Sequence, residues 1–310
     1  MQLDDLRIFV RVAELASFTQ AADQLGLLKG RVSAAVRQLE ARLGTRLLQR
    51  TTRRVRLTTD GEQFLASARA LLADADQLQS MFQPAASGLR GRLRIDLPNT
   101  LARELVIPRL PEFLAAHPLL EVAISTTDRF VDVVQEGFDC VVRVGALADS
   151  ELIVRPLGLM PMANVASPAY LKAHGLPKTL EDLAAHRVVH YSGTLGTHGA
   201  GLEYVADGER HLHPMRSALV VNSADAFQAA CMAGLGIIQA PRRGVQSLIA
   251  ARQLVEVLPL HQAPPLPVSL LYAHRQHVPP RVQAMLGWLA DVIGAALEPA
   301  EKRGADGAAD

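Results

Sequence analysis

Along the first eighty residues, apolar positions recur every three or four residues, the period of helices with one buried face. Leu6, Phe9, Val10 and Ala13 predict a helix over about residues 4–16. Ser17 suits an N-cap, and Phe18, Ala21, Ala22 and Leu25 continue into a short second helix ending at Gly26. Val32, Val36, Leu39 and Leu43 predict a third, closed by Gly44 in a left-handed cap. With the turn Gly26, Leu27, Leu28 between the second and third, these read as a helix-turn-helix. Leu47, Leu48, Val55 and Leu57 flank a basic tip and predict a two-stranded wing over residues 46–57. From Thr58 a long helix runs to about residue 83. Its seam of Leu65, Ala68, Leu72, Ala75 and Phe82, with Phe64, Leu71 and Leu78 alongside, has coiled-coil-like spacing. Such a stripe needs a cover. A second copy of the chain, met through Phe64, Leu65, Ala68, Leu72, Ala75 and Phe82, is the simplest; the chain's own C-terminal domain is the alternative.

After residues 84–88 the pattern changes to short apolar runs alternating with helical segments. Residues 93–97, 122–126, 140–144, 162–166, 188–191, 219–221, 236–239 and 268–272 have strand length, with helices at 108–116 and 224–233 between them. This alternation indicates α/β layers with mostly parallel sheets. From residue 298 onward no periodic apolar face remains, so 298–310 reads as a disordered tail.

Charge adds a functional direction. The chain carries +1 overall, yet residues 1–60 hold eleven Lys or Arg against six Asp or Glu, a surplus of +5 that leaves −4 for the rest. Such asymmetry marks an N-terminal module for a polyanion. The third helix turns Lys29, Gly30, Ser33, Ala34 and Arg37 outward, groups able to approach a groove, and in such motifs this helix enters the major groove. Arg50, Thr52, Arg53 and Arg54 on the wing tip suit phosphate or a narrow minor groove. A solvated helical module that binds another protein remains the alternative. With 49% apolar and 20% charged residues the chain can bury a sizeable core, and no stretch reaches the roughly 18 apolar residues of a membrane span. Asp4 and Asp5 stand where a signal peptide would be basic, so the expected location is cytoplasmic. Cys140 and Cys231 lie far apart without metal-ligand spacing, which points to buried hydrophobes ahead of a redox pair.

In the C-terminal part, ligand-facing candidates are residues at strand ends that open helices. Pro98, Asn99 and Thr100 follow one strand and Asn222 and Ser223 another, offering hydroxyl or amide groups beside a positive helix end. The same logic extends to Thr127, Asp128, Val144, Gly145 and Gly193. An anionic or polar small molecule suits such donors, although Thr100 and Ser223 serve equally as ordinary N-caps. The glycine-rich run 193–201 lacks a Walker lysine, and no nucleophile elbow is present. His211 and His213 find no third ligand at metal spacing, so no cofactor is expected. A two-lobed enzyme or small-molecule binder carrying a helical module is the rival reading.

At this point the sequence resembles the LysR-type transcriptional regulators. The resemblance is carried by Asp5, Leu6, Phe9, Val12, Ser17, Phe18, Ala21, Ala22, Leu25, Val32, Ser33, Leu39, Glu40, Leu43 and Gly44, then by Leu47, Leu48, Arg50, Thr51, Thr52, Arg53, Leu57, Thr58 and Gly61. It extends through Gly91 to Ile95 and Pro98, Glu136 to Gly145, Ala166 to Leu171 and Ala233 to Ile237. The resemblance implies a winged helix-turn-helix DNA-binding domain (1–59), a linker and dimerisation helix with hinge (60–87), and an α/β effector-binding domain of periplasmic-binding-protein type (88–297). Its two lobes would span about 88–165 plus 268–297, and 166–267. It further implies promoter DNA and a small effector as partners, a dimer or tetramer, contact with RNA polymerase, and no catalysis. Two positions depart from the pattern: Leu28, where the family often has Ser or Pro, and Ala34, commonly Arg. Base readout is therefore expected to shift toward Lys29, Arg31 and Arg37.

Overall fold

The computed structural model describes residues 2–50, 55–81, 88–129, 131–134, 136–147, 151–192, 201–273 and 278–299. The chain divides into two compact units, residues 1–88 with 132–138, and residues 89–131 with 139–310. Thr52, Arg53, Arg54, Phe82 and Gly193 lie outside the described residues, as does the side chain of Arg50.

In the first unit, α1 (Leu3–Leu15), α2 (Phe18–Leu25) and α3 (Lys29–Leu43) occupy the three periodic runs. Ser17 Oγ accepts from the Gln20 amide at 3.2 Å, and Gly26 and Gly44 end α2 and α3 at φ 63° and 69°. Leu6, Phe9, Val12, Phe18, Val32, Val36 and Leu39 interlock in one core. The wing is the antiparallel pair β1 (Leu48–Arg50) and β2 (Val55–Leu57). Glu40 of α3 accepts from the amides of Leu47 and Leu48, 3.0 Å each, and so ties the wing to α3.

The long helix α4 (Thr59–Met81) starts where Thr58 Oγ1 accepts from the Gly61 amide at 2.9 Å and donates to Arg46 O at 2.7 Å. A Cβ on Gly61 would lie 2.0 Å from Leu47 O, so only glycine permits this approach. The seam expected to meet a second copy is used differently in its first turns. Phe64 packs edge-on against Phe9 (ring centroids 5.3 Å apart), Leu65 and Ala68 are buried, and Leu72 rests on the same core. The apolar face of α1 requires this cover, so these four residues stabilise the head itself. Ala75 is half-buried, and among the described side chains of α4 the apolar row left open is Leu71 and Leu78, seven residues apart.

In the second unit, β3 (Arg90–Leu97) leads into α5 (Asn99–Leu101), which continues through a π-helical turn (Ala102–Val106) into α6 (Ile107–Ala116). There follow β4 (Leu119–Thr126), β5 (Cys140–Val144), β6 (Leu152–Met160), β7 (Met162–Ala166), α7 (Pro168–His174), β8 (Arg187–Tyr191), and the hairpin β9 (Gly201–Ala206) and β10 (Glu209–Pro214). The chain then forms β11 (Arg216–Val221), α8 (Ala224–Met232), β12 (Ile238–Pro241), α9 (Arg242–Ala250), β13 (Val255–Glu256), β14 (Leu266–Ala273) and α10 (Pro280–Gly294). One lobe is the sheet β4-β3-β5-β14-β6, covered by the core-facing side of α10. The other joins β12-β7-β13 to β11-β8 through a parallel bridge between Val188 and Ile237.

Three expectations are corrected. The sheets are mixed, not mostly parallel, because β14 returns antiparallel to both β5 and β6 and β7 is flanked by antiparallel neighbours. The first lobe ends at Met160 rather than near residue 165, since Met162–Ala166 is the central strand of the second lobe's three-stranded sheet. Glu298 is not yet tail: it exchanges backbone hydrogen bonds with Leu159 at 2.9 and 3.1 Å.

Candidate nucleic-acid interface and effector cavity

The helix-turn-helix geometry divides α3 cleanly. Val32, Ala35, Val36 and Leu39 face the core, whereas Lys29, Gly30, Arg31, Ala34 and Arg37 are exposed and Ser33 is half-buried. The Arg37 Nε folds back onto Ser33 O at 3.3 Å. Asp5 and Glu14 pair with Arg42, Arg11 and Arg69 at 3.0–3.9 Å, so these two acids are matched by arginines outside the reading face. Among the described residues, Lys29 and Arg31 make no ion pair. The cationic edge anticipated from the charge asymmetry is thus presented to solvent by α3, with β1 and β2 beside it.

In the second unit a cavity of about 210 Å³ opens between the lobes. Its walls come from the α5 start (Pro98, Thr100, Leu101), the β5 end (Val144), the lobe junction (Met160, Met162), α8 (Ala224, Phe227, Gln228) and the β12–α9 junction (Ile238 to Pro241 and Arg243 to Val245). Most of these side chains are apolar. Of the polar ones, Gln239 is committed: its amide donates to Asn164 Oδ1 (2.8 Å) and Glu203 O (2.7 Å) and accepts from the Glu203 amide. Asp128 is also engaged, accepting from the Ala224 amide at 2.8 Å. Burial, with the Asp128 charge adding, pushes the Tyr191 hydroxyl up to about 12, so it is a proton donor at neutral pH. Among the described residues, Thr100, Gln228 and Arg243 make no side-chain hydrogen bond or ion pair, which leaves them and Tyr191 for a ligand. Gly244 faces Thr100 across the space, a Cβ there lying 3.6 Å from Thr100 Cγ2.

The structure brings Pro98, Thr100, Asp128 and Val144, four of the strand-end residues, to one cavity. It does not bring the others. Asn99 donates to the Asp225 carboxylate, which Arg103 also meets at 3.3 Å. Thr127 donates to Asp96, a buried carboxylate paired with Arg143 at 2.8 Å. Gly145 is tied to Pro267 O, and neither Asn222 nor Ser223 lines the cavity. The helix end they were to offer an anion is filled by Asp128, which caps α8 from the other lobe. Sequence reasoning missed the β12–α9 junction, although it obeys the same rule: a strand running directly into a helix at Pro241.

Cys140 and Cys231 are buried, and burial raises both thiols, Cys231 to about 12, so neither is a thiolate at neutral pH. Among the described residues no group of three or more His, Cys, Asp or Glu could hold a metal, and no helix is long and apolar enough to cross a membrane.

Comparison with known proteins agrees with this division. Residues 3–62 match the bacterial regulatory helix-turn-helix protein, lysR family, and residues 86–294 match the LysR substrate binding domain. The chain is 44% identical over 288 residues to the HTH-type transcriptional regulator YhjC of Escherichia coli (strain K12), covering 93% of this chain and 96% of that one. It is 35% identical over 292 residues to an HTH-type transcriptional repressor of Pseudomonas aeruginosa (strain UCBPP-PA14), covering 94% and 92%. The structure of CrgA, a LysR-type transcriptional regulator from Neisseria meningitidis, superposes with a TM-score of 0.58 at 26% identity, covering 94% of this chain and 98% of that one.

Proposed function

Because this chain belongs to the LysR family of transcriptional regulators, and is a DNA-binding regulator rather than an enzyme, we propose how its residues divide the work. In the head, α3 enters the major groove with Lys29, Arg31, Ser33 and Arg37 toward base edges, while Arg50, Thr52, Arg53 and Arg54 of the wing hold phosphate. Leu71 and Leu78 of α4 pair with a second copy, giving the two reading heads that a near-palindromic site requires, and two such dimers form the tetramer on DNA. Contact with RNA polymerase belongs to the same reading.

The effector occupies the cavity between the lobes. The observation that carries this is an apolar space of about 210 Å³ with one cation, Arg243, and three neutral hydrogen-bonding groups left unengaged. That set suits a compact molecule with an apolar body and a single acidic group, such as a small aromatic or branched-chain monocarboxylate. A ligand alters transcription only through different affinity for two arrangements of the protein.

The test is a thermal-shift screen of small monocarboxylates against the full chain, repeated on Arg243→Gln, Thr100→Val and Gly244→Leu. A ligand that stabilises the wild type should lose its effect with Gly244→Leu, which fills the space, and weaken at least tenfold with Arg243→Gln. Equal stabilisation of all four proteins would place the ligand elsewhere. Preferential stabilisation by dicarboxylates would overturn the single-anion reading.

A further inference from the structure

Leu28 breaks two local rules at one position. It is the N-cap of α3 (φ −69°, ψ 137°), where a Ser, Thr, Asp or Asn side chain would accept from a free amide of the first turn, and it makes no such bond. Its side chain is also 82% exposed, the most of any large hydrophobic residue described in the head. The position thus gives the protein neither a cap nor core packing. Local rules broken without compensation inside the fold point to a role outside it.

The surroundings indicate what covers Leu28. Lys29 and Arg31 follow it in the first turn of α3, exposed and without an ion pair among the described residues. Gly30 lies within the same turn, and a Cβ there would meet nothing within 4 Å, so the chain's own packing does not demand a glycine. An apolar tip followed within one turn by two cations, beside a bare stretch of backbone, matches a polyanion with an apolar group recessed in a groove. Duplex DNA has that combination, since the thymine C5-methyl is the apolar group displayed among the donors and acceptors of the major-groove base edges. The N-terminal end of the second motif helix is also the part that approaches base edges.

We propose that Leu28 reads a thymine methyl group in the major groove, so that part of this regulator's sequence preference comes from apolar contact rather than hydrogen bonding. The proposal rests on the reading that α3 enters that groove. It assigns Leu28 a specificity role for a pyrimidine carrying a 5-methyl group. Thymine and 5-methylcytosine satisfy it; uracil and unmodified cytosine do not. Lys29 and Arg31, which reach neighbouring base edges, do not discriminate at this base.

The experiment uses the full chain and a pool of duplexes with a randomised centre. Binding motifs are enriched for the wild type and for Leu28→Ala. Each enriched thymine in the wild-type motif is then replaced singly by deoxyuridine. We expect one thymine per half-site whose demethylation weakens wild-type binding about fourfold, the effect of exposing one methyl-sized group. Leu28→Ala should lose the preference at that position and bind the thymine and uracil duplexes equally. Leu28→Ser should do the same while its helix content is kept or raised by the restored cap. A Leu28→Ala motif with the wild-type thymine and an unchanged thymine-to-uracil ratio would overturn the proposal while leaving α3 in the groove. Failure of the wild type to enrich any motif would remove the groove placement, and this inference with it.

Discussion

Replacing Gly61 by alanine adds a single methyl group in the first turn of α4, yet Gly61 is buried there and the structure makes this one of the costliest changes available in the head. The new Cβ would sit 2.0 Å from Leu47 O and 2.9 Å from Leu47 C, both backbone atoms. Relief to the shortest tolerable contact of 3.0 Å requires the base of the wing and the first turn of α4 to part by about 1 Å. Leu47 O also accepts from the Thr58 amide at 3.0 Å, and the Thr58 hydroxyl bridges Arg46 O and the Gly61 amide. Two hydrogen bonds at about 1 kcal/mol each, plus about 1–2 kcal/mol of displacement strain, give about 3–4 kcal/mol. The assay exploits Trp288, the single tryptophan, which packs 5.1 Å from Phe113 in the second unit. In urea its fluorescence follows that unit, while far-UV circular dichroism follows both. We expect the dichroism midpoint of the head to fall by on the order of 1–2 M with the Trp288 transition unmoved. Gly30→Ala, with open space around its Cβ, is the control and should not destabilise. A Gly61→Ala protein within 0.5 kcal/mol of wild type, on the order of experimental scatter, would refute the steric reasoning.

Asp96→Ala strands the Arg143 guanidinium, which is 92% buried at the side chain and already has one amine without a partner, so the Trp288 transition should lose about 3–5 kcal/mol; a loss under about 1 kcal/mol would show that water reaches the pair. His186 is held below its ordinary value by burial and then by the charge of His174, with Asp182 opposing. The unfolded chain therefore takes up the proton first, and stability present above about pH 6.5 should decline on acidification below it, a slope that His186→Asn should flatten in a pH series of urea titrations. Leu78→Glu should shift the chain toward monomer in sedimentation without changing head stability, whereas Phe64→Ala should cost the head about 3 kcal/mol; the reverse pattern would return the pairing seam to the Phe64 side.

How far the sequence carried depended on whether a feature was local. The helices of the head follow from spacing and caps within a few residues, and Ser17, Gly26 and Gly44 act where expected. The strand β6 escaped notice because Pro156 and Gly158 interrupt its pattern, which an edge strand tolerates beside a register shift. The β9–β10 hairpin was legible in principle: Asp207 and Gly208 take positive φ of 53° and 79°, the signature of a two-residue turn. Periodicity identifies the apolar residues of α4 but cannot say which partner they meet, a second copy or the chain itself; Phe64, Leu65, Ala68 and Leu72 pack on the core of the head. The cavity was half legible. Thr100 and Asp128 stand at strand ends, while Met160, Phe227 and Arg243 join them only through the closing of two lobes from distant stretches of chain.

The bond between Asp128 and the Ala224 amide, together with Asn99 and Arg103 on Asp225, also sets a clock. These contacts join the two lobes, Asn99, Arg103 and Asp128 on the first meeting Ala224 and Asp225 on the second. Where entry to the cavity requires the lobes to part, these three contacts must open first. At low concentration the association rate should rise in proportion to ligand; at high concentration it should level off at the opening frequency, which no excess of ligand can exceed. Asp225→Ala, which unfastens two of the three contacts, should raise that ceiling in stopped-flow traces. The speed with which this regulator answers a sudden rise in its signal would then be a property of its own lobes.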